Sequence, residues 1–338
     1  MSASPASAAF DEREPPFAGR GGDDDAFRRL VEPHLTELRT HCYRMLGSLH
    51  DAEDALQDTL LRAWRGMKRF DQRRPPRPWL YKIATNVCLS AIEQRSRRVA
   101  SVDEPADGKK VLRWIEPYPD AELGVEAGYA SPEARYEQRE ALELAFIIAL
   151  QHLSRRQRAV LILRDVLGYS AKEVGETLSA TPASVNSALQ RARNALAQEL
   201  PQPSQQATLR SLGERRVRHL VDRFVDAFER GDASAIVAML AEDAKFSIPP
   251  CTRLYRGRKA IAGSWFMPEG GAGALRFVLT RANGQLAFGA YRLDPEARSY
   301  IPIALDVLAV RGKCVTEITA FRAPEIFGRF GLPATLSV

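Results

Sequence analysis

The period of the apolar residues changes once along this chain, and that change constrains the fold more than any other feature. Up to Leu200 the apolar residues recur at steps of three and four, the repeat of an amphipathic helix. Phe27, Leu30, Val31, Leu35, Leu38, Cys42 and Met45 form one stripe, broken at Gly47-Ser48. Ala52, Ala55, Leu56, Leu60, Ala63 and Trp64 form a second. A third covers about 79–97, after a 70–78 segment whose three prolines imply a loop. Helices return over about 132–153. Ser154 with Gln157 and Ser170 with Glu173 then read as capping boxes, and Thr181-Pro182 opens a last helix to about 200. Past a Pro/Gln/Ser stretch at 201–208, two helices over about 217–228 and 233–240 give way to strand patterns. These lie at 244–248, 275–281, 286–293, 301–310 and 315–321, with Asn283-Gly284 a strong hairpin turn. Two all-α units followed by an α+β domain is the expected class.

The net charge of +6 over 338 residues names no partner, but its distribution does. Residues 62–98 hold 11 basic and 2 acidic residues, net +9, between 24–61 at net −4 and 99–138 at net −5. A phosphate-backbone surface beside a protein-docking surface has this signature; a solvated helix face is the plainer alternative. Residues 139–200 carry net +2 and 201–338 net +6, after net −2 over 1–23. The basic tail is therefore expected to face acidic segments 24–61 or 99–138 of its own chain. Residues 1–23 read as a disordered tail and 99–138 as an extended acidic linker anchored at one point, on Val111, Leu112, Trp114 and Ile115. No membrane-length apolar run, secretory leader or Cys/His metal spacing is seen, so a cytoplasmic protein with no metal or cofactor is expected.

Residues 170–197 have the form of a helix-turn-helix. The second helix turns Val185, Ala188, Leu189, Ala192 and Leu196 inward. Ser184, Asn186, Ser187, Gln190, Arg191 and Arg193 face outward with no acid before Glu199. Short polar donors near a helix N-terminus and arginines beyond them suit base edges and phosphates in a major groove.

The stretches DAEDALQDTLLRAWRGMKRF (51–70) and PWLYKIATNVCLSAIEQRSRR (78–98) resemble region 2 of the sigma-70 family, extracytoplasmic-function (ECF) type. LSRRQRAVLILRDVLGYSAKEVGETLSATPASVNSALQRARNAL (153–196) resembles region 4 of the same group. Residues from about 214 to 336, with AYRLDPEARSYIPIALDVLAV and FGRFGLPATL, look like a SnoaL-like domain. The resemblance implies a multidomain chain: a region 2 helical bundle at 24–98, the linker at 99–138 and region 4 at 139–200. A second linker at 201–213 and an α+β SnoaL-like cone at 214–338 follow. It also implies a factor that binds core RNA polymerase, through the β′ clamp helices and the β flap, and directs promoter recognition and melting. Asp51, Glu53, Asp54, Gln57 and Asp58 then match the polymerase-docking positions. Trp79, Tyr81, Lys82, Asn86, Arg95, Arg97 and Arg98 match the minus-10 strand surface. Thr181, Ser184, Asn186, Ser187, Gln190, Arg191 and Arg193 match the minus-35 surface. Trp79 and Tyr81 are placed either to stack on bases or to pack, and the apolar face that Trp79 opens favours packing. The loop QRRPPRPW departs from the Gly/Ser-containing loop of many members, which puts the minus-10 base preference in question.

SnoaL-like folds include acid-base enzymes. Here Trp265, Phe266, Phe277, Phe288 and Tyr291 are candidate pocket residues, with Asp306, Asp243 and Glu317 as candidate acids. The His of this part, His219, lies on the first helix, and no acid sits at a dyad spacing from a His or Lys. An aromatic core or a regulatory module in cis is expected ahead of catalysis. A one-component helix-turn-helix regulator with an effector domain is the alternative for the whole chain, but it needs neither the acidic helix nor the basic one.

Overall fold

The computed structural model describes residues 23–71, 73–99, 115–122, 139–250, 254–265 and 274–338; for 23, 98, 99, 264 and 265 this is backbone alone. Residues 1–22 of the expected tail 1–23 and the apolar residues Val111, Leu112 and Trp114 lie outside it, as does Phe266, whereas Asp23 already begins the first helix. So do residues 132–138, where a helix was expected to begin, and most of the acidic linker.

Helices α1 (Asp23–Val31), α2 (Leu35–Leu46), α3 (Leu49–Gly66) and α4 (Pro76–Val99) form the first unit. Gly47 takes the left-handed cap of α2 at φ 75°, and the Ser48 hydroxyl opens α3 by accepting from Asp51 N at 3.1 Å. Helix α4 begins at Pro76, inside the expected 70–78 loop. Prolines fit a first helical turn because the N–H they lack has no intrahelical partner there.

The second unit holds α5 (Leu144–His152), α6 (Arg155–Leu161) with its π-helical extension Ile162–Val166, α7 (Ala171–Leu178) and α8 (Pro182–Glu199). Both capping boxes form. The α7–α8 turn is tight: a Cβ on Gly175 would stand 2.6 Å from the Ala180 carbonyl oxygen, so the helices close this far only with glycine there.

At the expected linker 201–213 the chain instead forms α9 (Gln205–Leu212). Ser204 caps it, and the Glu143 carboxylate accepts from Gln205 N (3.0 Å) and Gln206 N (2.7 Å), filling orphan N–H groups of its first turn. Helices α10 (Glu214–Glu229) and α11 (Ala233–Met239) follow, then β1 (Leu240–Ser247), β2 (Leu254–Arg256), α12 (Arg258–Trp265), β3 (Leu275–Ala282), β4 (Gln285–Asp294), β5 (Ser299–Arg311), β6 (Cys314–Phe321), a 3-10 turn (Pro324–Phe330) and β7 (Leu336–Ser337). The sheet order is β2-β1-β6-β5-β4-β3, with β7 on β5 and only the β1–β6 pair parallel. Side chains alternate across it. One face buries Phe277, Phe288 and Leu308 against Phe224 and Phe228 of α10. The other face, with Ala287, Tyr291, Leu305 and Val307, joins a core continuous with the helical units.

That shared core is interlocked by polar groups. The Asn283 side chain, at the buried hairpin tip with φ 56°, donates to the Tyr43 hydroxyl (2.9 Å) and the Leu142 carbonyl (2.8 Å) and accepts from Tyr118 N (2.8 Å). Gln285 of β4 accepts from Leu144 N at the start of α5 (2.8 Å). Glu116 of the linker accepts from Leu49 N (2.7 Å) and His50 N (3.0 Å) at the start of α3. Helix N-termini in the two sigma-like units are thus satisfied by groups outside those units. Ion pairs add Arg281–Asp120 and Arg329 to both Glu53 and Glu122. Arginines of the basic tail therefore meet acids of 24–61 and 99–138.

Candidate nucleic-acid interface

Helix α3 presents its acids unequally. Asp54, Gln57 and Asp58 are exposed. Asp51 is held by Arg95 of α4, and Glu53 by Arg329 of the terminal 3-10 turn at 2.5 Å. Of the five expected docking residues, three are free to meet another surface.

Helix α4 divides in the same way. Lys82 and Asn86 face outward on one stripe, with Ser90 and Arg97 following at helical steps. The Asn86 amide folds back onto the Lys82 carbonyl at 2.9 Å, and Arg97 pairs with Glu93 at 2.7 Å. Trp79 stacks on Phe70, with ring centroids 4.5 Å apart and planes at 23°, so it packs. Tyr81 packs as well, the alternative that the apolar face favoured, and this takes it off the minus-10 surface that the resemblance matched it to. It is 2% exposed, and its hydroxyl donates to Glu37 Oε2 at 3.2 Å. Burial, then the Glu37 charge, raises its pKa far above the ordinary tyrosine value. Arg95 is likewise not an open phosphate ligand here, because it bonds Asp51 and the Leu46 carbonyl. The side chain of Arg98 lies outside the described residues.

Sequence reasoning missed the group that buries Tyr81. Arg77 lies 5.0 Å over the Tyr81 ring and 5.9 Å over that of Tyr169, and donates to Glu37 at 2.9 Å. Tyr169 belongs to the second unit, so this basic loop residue is a domain-packing residue. Arg155 pairs with Glu93 across the same boundary, and buried Arg158 donates to the Met45 carbonyl.

The α8 surface is open. Thr181 caps the helix by accepting from Ser184 N at 3.2 Å, and Ser184, Asn186, Ser187, Gln190, Arg191 and Arg193 are all exposed. Ser184, Ser187 and Arg191 share one stripe at i, i+3 and i+7. Gln190 bonds Asn194 at 3.0 Å. Arg193 is turned back, bidentate to Asp165 at 2.7 and 2.9 Å, which raises its pKa. Among the described residues Arg191 has no side-chain partner, so it is the open arginine of the pair.

Among the described residues the expected C-terminal pocket does not assemble. Phe277 and Phe288 interlock with Phe224 and Phe228, leaving about 10 Å³ beside them, scarcely room for a water. Tyr291, three residues after Phe288, projects to the other face and donates to the Pro333 carbonyl at 2.8 Å. The Trp265 side chain is outside the described residues, and His219 is exposed. Asp243 is exposed and paired with Arg311 at 2.6 Å, and Glu317 faces away from the cone. Asp306 alone is buried there. Among the described residues its Oδ1 has no hydrogen-bond partner, and burial lifts its pKa to about 7. A protonated buried acid stabilises the fold at low pH. The unfolded chain loses that proton first, so stability falls as pH rises from about 4 to about 7. Asp306→Asn should therefore raise Tm at pH 8 and change it little at pH 4, as read by calorimetry. A Tm gain of the same size at both pH values would contradict this.

Residues 30–98 match the family model for Sigma-70 region 2, 143–196 that for Sigma-70 region 4 and 221–313 that for the SnoaL-like domain. The ECF RNA polymerase sigma factor SigG of Mycobacterium tuberculosis is 38% identical over 335 residues, 96% of this chain and 87% of that protein. SigW of Bacillus subtilis, also an ECF sigma factor, is 29% identical over 53% of this chain and 91% of its own length. The crystal structure of the M. tuberculosis ECF sigma factor SigJ shares the fold, with a TM-score of 0.56 at 21% identity over 92% of this chain and 99% of that one. Among the described residues no helix is long and apolar enough to cross a membrane. The match through region 2 sets aside the one-component regulator, and the chain belongs to the ECF RNA polymerase sigma factors, with a SnoaL-like domain following region 4.

Proposed function

We propose that the described arrangement is the closed resting form of this sigma factor, and that initiation on core polymerase requires region 4 and the SnoaL-like domain to leave region 2. The observation that carries this is the packing of α4 against α6 and α7, sealed by Arg77 between Tyr81 and Tyr169. Promoter elements named for positions about 25 base pairs apart are separated by roughly 85 Å at 3.4 Å per step. Two touching domains of this size, each about 25–30 Å across, cannot read both. The SnoaL-like domain supports the closed form through Asn283, Gln285 and Arg329, and Arg329 occupies Glu53 on the docking helix. Regulation in cis follows from that occupancy.

In the open form, Asp54, Gln57 and Asp58 meet the polymerase β′ clamp helices, region 4 meets the β flap, and Lys82 and Asn86 face the melted strand. The test is run-off transcription with purified core enzyme. Asp54→Arg should weaken core binding at least tenfold in a fluorescence titration with its circular dichroism unchanged; unaltered affinity would remove α3 as the docking helix. Arg191→Ala should cost ~1–3 kcal/mol at one minus-35 base pair if it reads a base edge. Against a phosphate it should instead weaken all sequences alike and flatten the salt dependence. Arg193→Ala should cost less, because Arg193 must first leave Asp165.

A further inference from the structure

Between region 4 and the SnoaL-like sheet lies an open cleft of about 470 Å³. That volume is typical of small-molecule sites, which combine apolar walls with a few convergent polar groups. One wall is Leu144 and Ile148 of α5 with Leu200 beyond α8; the other is Val307 and Ala309 of β5 with Glu317 of β6. Glu317 is half-buried, set between Ala309 and Lys245 in the sheet register. Among the described residues its carboxylate has neither an ion pair nor a hydrogen bond, and burial raises its pKa. The other charges of the cleft are spent or wet. Asp243 pairs with Arg311, Glu199 lies 3.7 Å from His152, and Lys245 is exposed. The half-buried ionisable group inside the cleft is therefore an acid; burial favours its neutral form, the exposed Lys245 beside it offsets part of that, and it stands beside apolar wall. A counter-charge brought there is screened less than one at the surface and gains more.

We propose that this cleft binds a small organic cation, a protonated amine placed at Glu317 with an apolar body against Leu144, Ile148 and Leu200. Because its walls belong to two domains, such a ligand would favour the arrangement in which they touch, by mass action.

The experiment measures binding to the full chain, apart from transcription, so it stands whether or not the closed form is the resting one. The probes are 4-phenylbutylammonium, with 4-phenylbutanol and 4-phenylbutyrate as its neutral and anionic counterparts, titrated by calorimetry and ligand-observed NMR. The ammonium should bind about tenfold or more tightly than the alcohol, the effect of one hydrogen-bonded charge, and the carboxylate should bind weakest. Glu317→Gln should remove the preference for the ammonium and leave the alcohol unchanged. Ile148→Trp, which fills the cleft, should abolish binding of all three. Equal affinities for the three probes, a Glu317→Gln variant that keeps the ammonium preference, binding that survives Ile148→Trp, or no saturable binding would each overturn the proposal.

Discussion

Replacing Asn283 with Ala should undock the SnoaL-like domain while leaving each domain folded. The side chain serves Tyr43, Tyr118 and Leu142, one group from each of three segments that must come together. Its removal takes the partner of the Tyr118 amide and of the Leu142 carbonyl, at ~1–3 kcal/mol each, while the Tyr43 hydroxyl still donates to the Glu116 carbonyl at 2.8 Å; the relaxed interface recovers part through water. Alanine at φ 56° adds ~1–2 kcal/mol, because the left-handed region crowds a Cβ that asparagine tolerates better through local hydrogen bonding. A net loss of roughly 3–6 kcal/mol against the docked state follows. Hydrogen exchange at the Tyr118 amide should accelerate by two orders of magnitude or more, since its acceptor is the Asn283 side chain. Transcription with core enzyme should rise in the same variant. Asn283→Gly separates the two causes, because it keeps the backbone comfortable and loses only the hydrogen bonds. A slow Tyr118 amide together with unchanged transcription in Asn283→Ala would show that the hairpin tip does not hold the domains.

This residue also shows where the sequence stops being legible. Asn283-Gly284 reads as a hairpin turn from local chemistry alone, and it is one. That the same side chain would join Tyr43, 240 positions away, has no local signal. Helix α9 was hidden for a related reason. Pro, Gln and Ser compose a linker by content, yet Gln205 and Gln206 are buried because their amides reach Val310 and Gly284. What buries Tyr81 was hidden in a third way. A single apolar stripe describes a helix with one buried face, whereas α4 is covered from two sides, by its own bundle and by region 4. The capping boxes, the Thr181-Pro182 opening and most strands were readable because each is decided within a few residues. Phe288 and Tyr291 were separable as well: an odd spacing along a strand puts two residues on opposite faces.

A chain ending at residue 200 should transcribe more than the full chain at equal concentration. The sign follows from what the removed part touches. It supplies Gln285 at the α5 N-terminus, Asn283 between the units and Arg329 on Glu53, all contacts of the closed arrangement. None of its described residues covers the exposed face of α8 or the Lys82–Asn86 stripe, so their loss takes nothing from the proposed DNA surfaces. If these contacts favour closure by ~3 kcal/mol net, roughly one full-length molecule in 150 is open at any moment, and removal can raise activity up to about a hundredfold. The truncated chain exposes Tyr118 and Leu142 and loses an α5 cap, so it should also melt several degrees lower. The two effects oppose each other, and measuring both separates them. A rise in run-off product with a lower Tm is the signature of a clamp. A fall in product from a chain that keeps its helical circular dichroism would mean that the domain braces the active form, and the closed arrangement would then not be inhibitory. Arg329→Glu in the full chain supplies the intermediate case: it repels Glu53 and Glu122 while keeping the sheet, and a clamp requires it to raise transcription partway toward the truncated level.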